Sequence, residues 1–454
     1  MSSHIAYGTG ASQRASVFAR GLHIDWLMFF STVITVGVGL LTIHSTEATT
    51  RGGGFLIRQM VASCVGLVGL VFLTLLPYQI FRTYVRFLYI LMMAVLVGVL
   101  IFGANLRGTR GWFHLGPVYL QSSEVAKPLF VLTLAGYLDR RIEWYTPKSL
   151  VIPFLLAMLP IVFIIIQPDF SSSLVFFPVT LVMFYVAGAR SLHLLSVCFV
   201  GGLATGIPLA STYFRLLGDE LKNRPIMTYL AHAFAGGWEA AWLFFGVCAI
   251  LMGTWWVLRR LRLYIPSFYM WITLALIVIG IIGAAGVNHV IKDYQRKRLI
   301  AFVNPELDPL GGGYNVRQSQ IAIGSGQVFG KGYTHGTQSQ LGFLPSRQTD
   351  FIFSVIGEEL GFFRSGLILV FYFLIIWRGF ETALVARDRF GGLVASGFAT
   401  MFGFYAFLNL GMTMGMAPVA GVPLPMVSYG GSSVVSSMLA VGLLMSVHWR
   451  RYML

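Results

Sequence analysis

Charge is what this sequence has least of. Asp, Glu, Lys and Arg together make up 11% of 454 residues, against about 25% in an ordinary soluble domain. That scarcity excludes a string of soluble domains, which length alone would suggest. Cysteine is also rare. The three present, Cys64, Cys198 and Cys248, are isolated in apolar runs, which excludes a disulfide framework or a thiolate metal site and predicts small core residues. No HExxH, P-loop or dinucleotide fingerprint occurs in a fitting context. The glycine-rich GSGQVFGKG from Gly324 to Gly332 lacks phosphate-loop spacing.

Apolar sequence fills the space instead. Hydrophobic residues make up 56% of the chain and mean hydropathy is +0.76, so the fold class is an all-α polytopic membrane protein. With about 20 apolar residues needed per span, candidates fall at 26–43, 57–76, 87–103, 122–138, 150–167, 172–189, 193–213, 236–257, 267–288, 350–377, 392–412 and 430–448. The run at Trp26 is too long for the core of a signal peptide and reads as a retained first span. The net charge of +15 does not imply a nucleic-acid partner. Its arginines and lysines sit in short clusters between apolar runs, as topology signals do.

Those clusters (Arg82 and Arg86, Arg140 and Arg141, Arg190, Arg259 and Arg260, Arg387 and Arg389, Arg450 and Arg451) fall on one side. The positive-inside rule then places both termini in the cytoplasm. The expected organisation is a cytoplasmic tail over 1–25, membrane regions over 26–288 and 350–448, a large outer loop over 289–349 and a short cytoplasmic tail over 449–454. That loop holds nine glycines between 311 and 342, which argues for turns and close approach rather than a packed outer domain.

Ionisable groups near hydrocarbon are expensive and mark sites or paths. Glu124 and Lys127 are one helical turn apart and suited to pair, as a neutralised structural couple or as part of a site. Asp169, after Gln167 and Pro168, fits a helix N-cap and equally a functional carboxylate. Asp350 stands at the lip of an apolar helix, downstream of Lys331, Gln338 and Arg347 and upstream of Glu358 and Glu359. Capping and catalysis both suit it. Near the end, the stretch from Met412 to Ser433 carries three prolines and several glycines that break any continuous helix. Such backbone suits a transport site or a braced enzyme cleft.

The stretch from Asp293 to Gly361, with SEVAK at Ser123, QPDF at Gln167 and NLGMTMGMAPVAGVPLPMVSYGGSS from Asn409, closely resembles the SEDS family of bacterial shape, elongation, division and sporulation proteins. HGTQS before FLP resembles the elongation branch more than the division branch. The resemblance covers most of the chain and implies a peptidoglycan glycosyltransferase that polymerises lipid II into β-1,4-linked glycan. It assigns the essential carboxylate to Asp350, substrate-cleft positions to Glu124, Lys127, Asp169 and Arg347, and structural positions to Pro418, Gly421, Pro425, Ser428 and Gly430. Lys331 and Gln338 join the cleft candidates from the same loop, which serves as a mobile lid or a static scaffold. No fixed cofactor is implied. A divalent cation at the diphosphate stays open. The implied partners are a class B penicillin-binding protein and other membrane proteins of the elongation machinery. This chain departs from the family pattern at Ser346, where relatives carry an acid, and in QPDFSS. It also has about twelve spans against a usual ten, the surplus pair falling within 191–288. Lipid II transport and a non-enzymatic scaffold remain the rival functions.

Overall fold

A computed structural model describes residues 24–48, 54–106, 109–116, 118–140, 147–217, 228–229, 232, 239–260, 267–290 and 312–452. The helices are α1 (Trp26–Glu47), α2 (Phe55–Leu75), the short α3 (Gln79–Thr83), α4 (Val85–Phe102), α5 (Ser122–Asp139), α6 (Pro147–Ile166), α7 (Phe170–Val186), α8 (Ser191–Leu217), α9 (Glu239–Arg260), α10 (Ser267–Val290), α11 (Gly312–Ser325), α12 (Thr337–Gln340), α13 (Ile352–Val385), α14 (Arg389–Met414) and α15 (Gly431–Trp449). Apart from α3, α11 and α12, each corresponds to one expected span. Eight are long and apolar enough by themselves to cross a membrane, and α7 with parts of α9 and α10 are shorter apolar helices. The remaining one, α5, carries three charged residues, Glu124, Lys127 and Asp139, of which Glu124 and Lys127 are buried.

Helix α14 forms the axis. Its apolar window is 78% buried, against 22% for α2, and it packs on α5, α7, α13 and α15. Small residues let the helices close up, since lipid supplies no hydrophobic force between them and van der Waals contact must do the work. A Cβ at Gly397 would meet Val131 at 2.7 Å, and one at Gly379 would meet Ala399 at 2.9 Å. At the periphery, α10 packs on α8 and α9 on α10. Cys64 and Cys198 are exposed and Cys248 is only part-buried. The expectation of core cysteines is thus corrected: their helices turn other faces inward.

Two features depart from a purely helical reading. A three-stranded antiparallel sheet, β1 (Ala104–Leu106), β2 (Thr109–Leu115) and β3 (Val118–Gln121), joins α4 to α5. The glycine-rich segment also contains α11, which docks on α13 and α14. Ser319 Oγ lies 2.6 Å from Ser354 Oγ and donates to the Thr413 carbonyl at 2.6 Å. Val316, Leu344, Phe351, Val355 and Val419 form a small apolar core of their own there. The part of this loop over 312–349 holds a helix as well as turns, and Gly326 and Gly330 approach the α13 backbone closely, with a Cβ on either standing 2.0 and 2.2 Å from the Gly357 and Glu359 carbonyl oxygens. Residues 291–311 lie outside the described residues.

A polar cluster at the loop end of the bundle

Three backbone carbonyls in a row carry the position of Asp350. Gln348 accepts from the Tyr429 amide at 2.8 Å, Thr349 from Ser428 Oγ at 2.7 Å, and Asp350 from Asn409 Nδ2 at 2.9 Å. The donors come from the broken segment between α14 and α15 and from α14 itself. Ser428 Oγ also accepts from the Leu424 amide at 2.8 Å. The Ser428 carbonyl and Gly430 amide are both taken by the Gln59 side chain, at 3.2 and 3.1 Å. Gly421 sits at φ 69° in that segment, between Pro418 and Pro425, so the motif acts as a brace. Asp350 is half-buried. Phe351, not Asp350, occupies the cap position of α13, without a side-chain cap bond.

One turn back along α14, Tyr405 receives the Lys127 ammonium over its ring at 4.5 Å. Lys127 pairs with Glu124 at 2.6 Å, both side chains buried. Residues 405 and 409 share a helix face about 6 Å apart along the axis, so α14 ties this pair to the backbone of Asp350. Asp169 caps α7 by accepting from the Ser172 amide at 3.2 Å. Its second oxygen accepts from Gln121 Nε2 and Ser123 Oγ, each at 2.8 Å. Beside it, Ser171 Oγ donates to the Ala420 carbonyl, joining Asp169 to the same brace. The cap and the cluster are one arrangement.

The Lys331 ammonium and the Gln338 backbone amide both meet Glu358. Lys331 Nζ pairs with the fully buried Glu358 at 2.9 Å, and Glu358 also accepts from the Gln338 and Ser339 amides at 2.9 and 3.0 Å. Glu359 accepts from Ser45 Oγ at 2.6 Å and Gln340 Nε2 at 3.0 Å. Helix α13 breaks at Gly361, where φ is 75°, and residues 327–332 pair with the break: Lys331 and Gly332 amides donate to Glu358 and Glu359 carbonyls at 3.0 Å, and Phe362 donates to Gln327 at 2.9 Å. These hydrogen bonds hold residues 326–340 against α13. Arg347 is half-buried, and desolvation holds its guanidinium pKa below the ordinary value. Among the described residues, no three His, Cys, Asp or Glu side chains gather to hold a metal ion.

Sequence reasoning followed charges and so missed the amides Gln59, Gln121 and Asn409. A lone Asn or Gln within an apolar run was the available signal, because an unpaired amide is costly in a bundle core.

Among the described residues, a bundle of long apolar helices enclosing a buried polar cluster defines an integral membrane protein of the helical-bundle class. The chain belongs to the family of FtsW, RodA and SpoVE, described as cell cycle proteins, which matches residues 25–233 and 245–453. It is 34% identical to the peptidoglycan glycosyltransferase RodA of Treponema pallidum, over 94% of this chain and 98% of that one. To peptidoglycan glycosyltransferase MrdB of Escherichia coli K12 it is 33% identical, over 95% of each. Among solved structures, a chain from a peptidoglycan synthase complex that coordinates polymerization and crosslinking matches at TM-score 0.63 with 26% identity, over 95% of this chain and 100% of that one. The rod shape determining protein RodA of Thermus thermophilus matches at 0.58 with 26% identity, over 95% and 98%.

Proposed function

We propose that this chain polymerises lipid II into β-1,4-linked glycan, with Asp350 as the general base. It is a peptidoglycan glycosyltransferase, the activity for which its relatives in T. pallidum and E. coli are named. The observation that supports Asp350 is the bracing of carbonyls 348, 349 and 350 by Tyr429, Ser428 and Asn409. A general base must be held within hydrogen-bond reach of the proton it takes, and a braced backbone supplies that precision.

In the proposed step the 4-hydroxyl oxygen of one GlcNAc attacks C1 of the MurNAc on a second lipid diphosphate. The new C1–O bond forms as the bond from C1 to the diphosphate breaks, the hydroxyl proton passes to Asp350, and the configuration inverts from α to β. Charge growing on the diphosphate calls for a cation. Arg347, three residues before Asp350 and half-buried, is the proposed one. Glu124, Lys127 and Asp169 form the polar wall behind the base. The arginine clusters support a cytoplasmic position for both termini and an outer-face position for Asp350, at the junction of the 289–349 loop and the 350–448 region. Helices α9 and α10 are the proposed surplus pair. A class B penicillin-binding protein is the proposed partner, in keeping with the structural match to a complex that couples polymerization to crosslinking.

The test is glycan synthesis from purified lipid II by wild type and Asp350→Asn, with the partner's transpeptidation blocked. Polymer from wild type and none from a D350N protein of unchanged Tm is the expected result. Equal polymer from both overturns the base assignment. Movement of lipid II between leaflets without bond formation would instead establish transport.

A further inference from the structure

The sheet between α4 and α5 has two unlike faces. In an antiparallel pair, residues directly opposite each other point to the same side. Trp112 lies opposite Gln121 and His114 opposite Tyr119, whereas Phe113 opposes Leu120 on the reverse side. The Phe113 ring comes within 3.7 Å of where a Cβ on Gly98 of α4 would stand, so the reverse side is turned toward the bundle. The front leads into the polar cluster, because its Gln121 side chain donates to Asp169 at 2.8 Å. Strand β3 is fixed there by Ser432, which accepts from the Gln121 amide at 3.3 Å and donates to the Tyr119 carbonyl at 3.0 Å.

That front carries Trp112, half-buried, and His114 and Tyr119, both exposed, whose rings lie 4.8 Å apart. Each is an apolar ring with a polar handle. A pyranose has the matching form, with an apolar C–H face and a rim of hydroxyls. Resting on the polymerase reading above, we propose that Trp112, His114 and Tyr119 form a pyranose-stacking subsite for the glycan strand, continuous with the reacting centre through Gln121 and Asp169. A polymer made at Asp350 has to pass over a neighbouring surface of the protein. The hairpin front is a surface whose chemistry fits a sugar, while the Phe113 side meets the bundle.

The experiment uses the full-length protein in nanodiscs and two readouts: saturation-transfer NMR with a lipid-free GlcNAc–MurNAc tetrasaccharide, and the length of glycan made from lipid II. Trp112→Ala and Tyr119→Ala should each weaken tetrasaccharide binding by about tenfold, the scale of one lost ring contact, and shorten the glycan. Trp112→Phe should retain most of both. Phe113→Ala, on the reverse face, should leave both at the wild-type level, and Tm checks folding throughout. Wild-type binding by W112A and Y119A overturns the subsite. So does a loss in F113A that parallels theirs, which would make the hairpin a membrane-interface anchor. Tetrasaccharide binding by a wild type that makes no polymer would sink the polymerase reading and leave the subsite standing.

Discussion

Asn409 donates its side-chain amide to the Asp350 carbonyl at 2.9 Å and to the Val422 carbonyl at 2.7 Å. It is fully buried in the most enclosed helix of the bundle. One residue thus fixes both the proposed base and the broken segment that braces it. Asn409→Ala removes both donations, and Asn409→Asp turns a donor into an acceptor facing two carbonyls. A displacement of about 1 Å at a reacting group costs on the order of a hundredfold in rate. The N409A variant should therefore lose roughly 10- to 100-fold in kcat with KM little changed, and N409D should lose more. Steady-state polymerisation with Tm as the folding check decides it. A rise in KM at constant kcat would assign Asn409 to substrate binding.

The Lys331–Glu358 pair predicts an asymmetry. Glu358 is fully buried, while the Lys331 side chain is about a quarter exposed. Lys331→Met strands a carboxylate and should cost about 2–4 kcal/mol. Glu358→Gln removes the charge and should cost less. Hydrogen exchange should rise over 331–340 in K331M more than in E358Q; equal rises would show that the amide bonds from Gln338 and Ser339 hold the loop without the ion pair.

Gly330 and Gly361 lie against each other with no room for a side chain. A Cβ on Gly361 would stand 2.2 Å from the Gly330 nitrogen, and one on Gly330 2.2 Å from the Glu359 carbonyl oxygen, both at positive φ. Backbone cannot yield as a flexible side chain does. Alanine at either position should release residues 327–332 from α13, seen as faster proteolysis of that segment and a lower Tm. Wild-type resistance would show that the contact is not required.

Breaking the Glu124–Lys127 pair from one side should cost more than removing it. Lys127→Met leaves Glu124 buried without its cation and should destabilise by about 3–5 kcal/mol, whereas the double variant E124Q/K127M should recover much of that. A double-mutant cycle on Tm reads the coupling. Recovery of stability without recovery of polymerisation would separate a site role from simple neutralisation.

Long apolar runs were legible because each is an extended local signal: among the described residues each expected span returns as a helix with ends within a few residues, except α13, which runs on eight residues past the expected 377 to Val385. The Glu124–Lys127 pair and the Asp169 cap were legible too, since three-residue spacing and cap chemistry act within one turn. The sheet over 104–121 was not. Its strands are three to seven residues long and lie between strong helical signals.

By itself, then, the sequence determined that this is a membrane bundle, that it resembles the SEDS family, and that Asp350, Glu124, Lys127 and Asp169 are its unusual charges. Hydrophobic length and local spacing act over a few residues and can be read without a fold. Only the tertiary structure decided how those charges are used. It brought the Lys331 ammonium and the Gln338 amide to Glu358, made Ser428 and Asn409 the brace of carbonyls 349 and 350, and joined the sheet to Asp169 through Gln121. Those contacts join residues from 20 positions apart, Gln338 with Glu358, to 79 apart, Ser428 with Thr349, and such pairings are set by which helices pack together rather than by any local pattern.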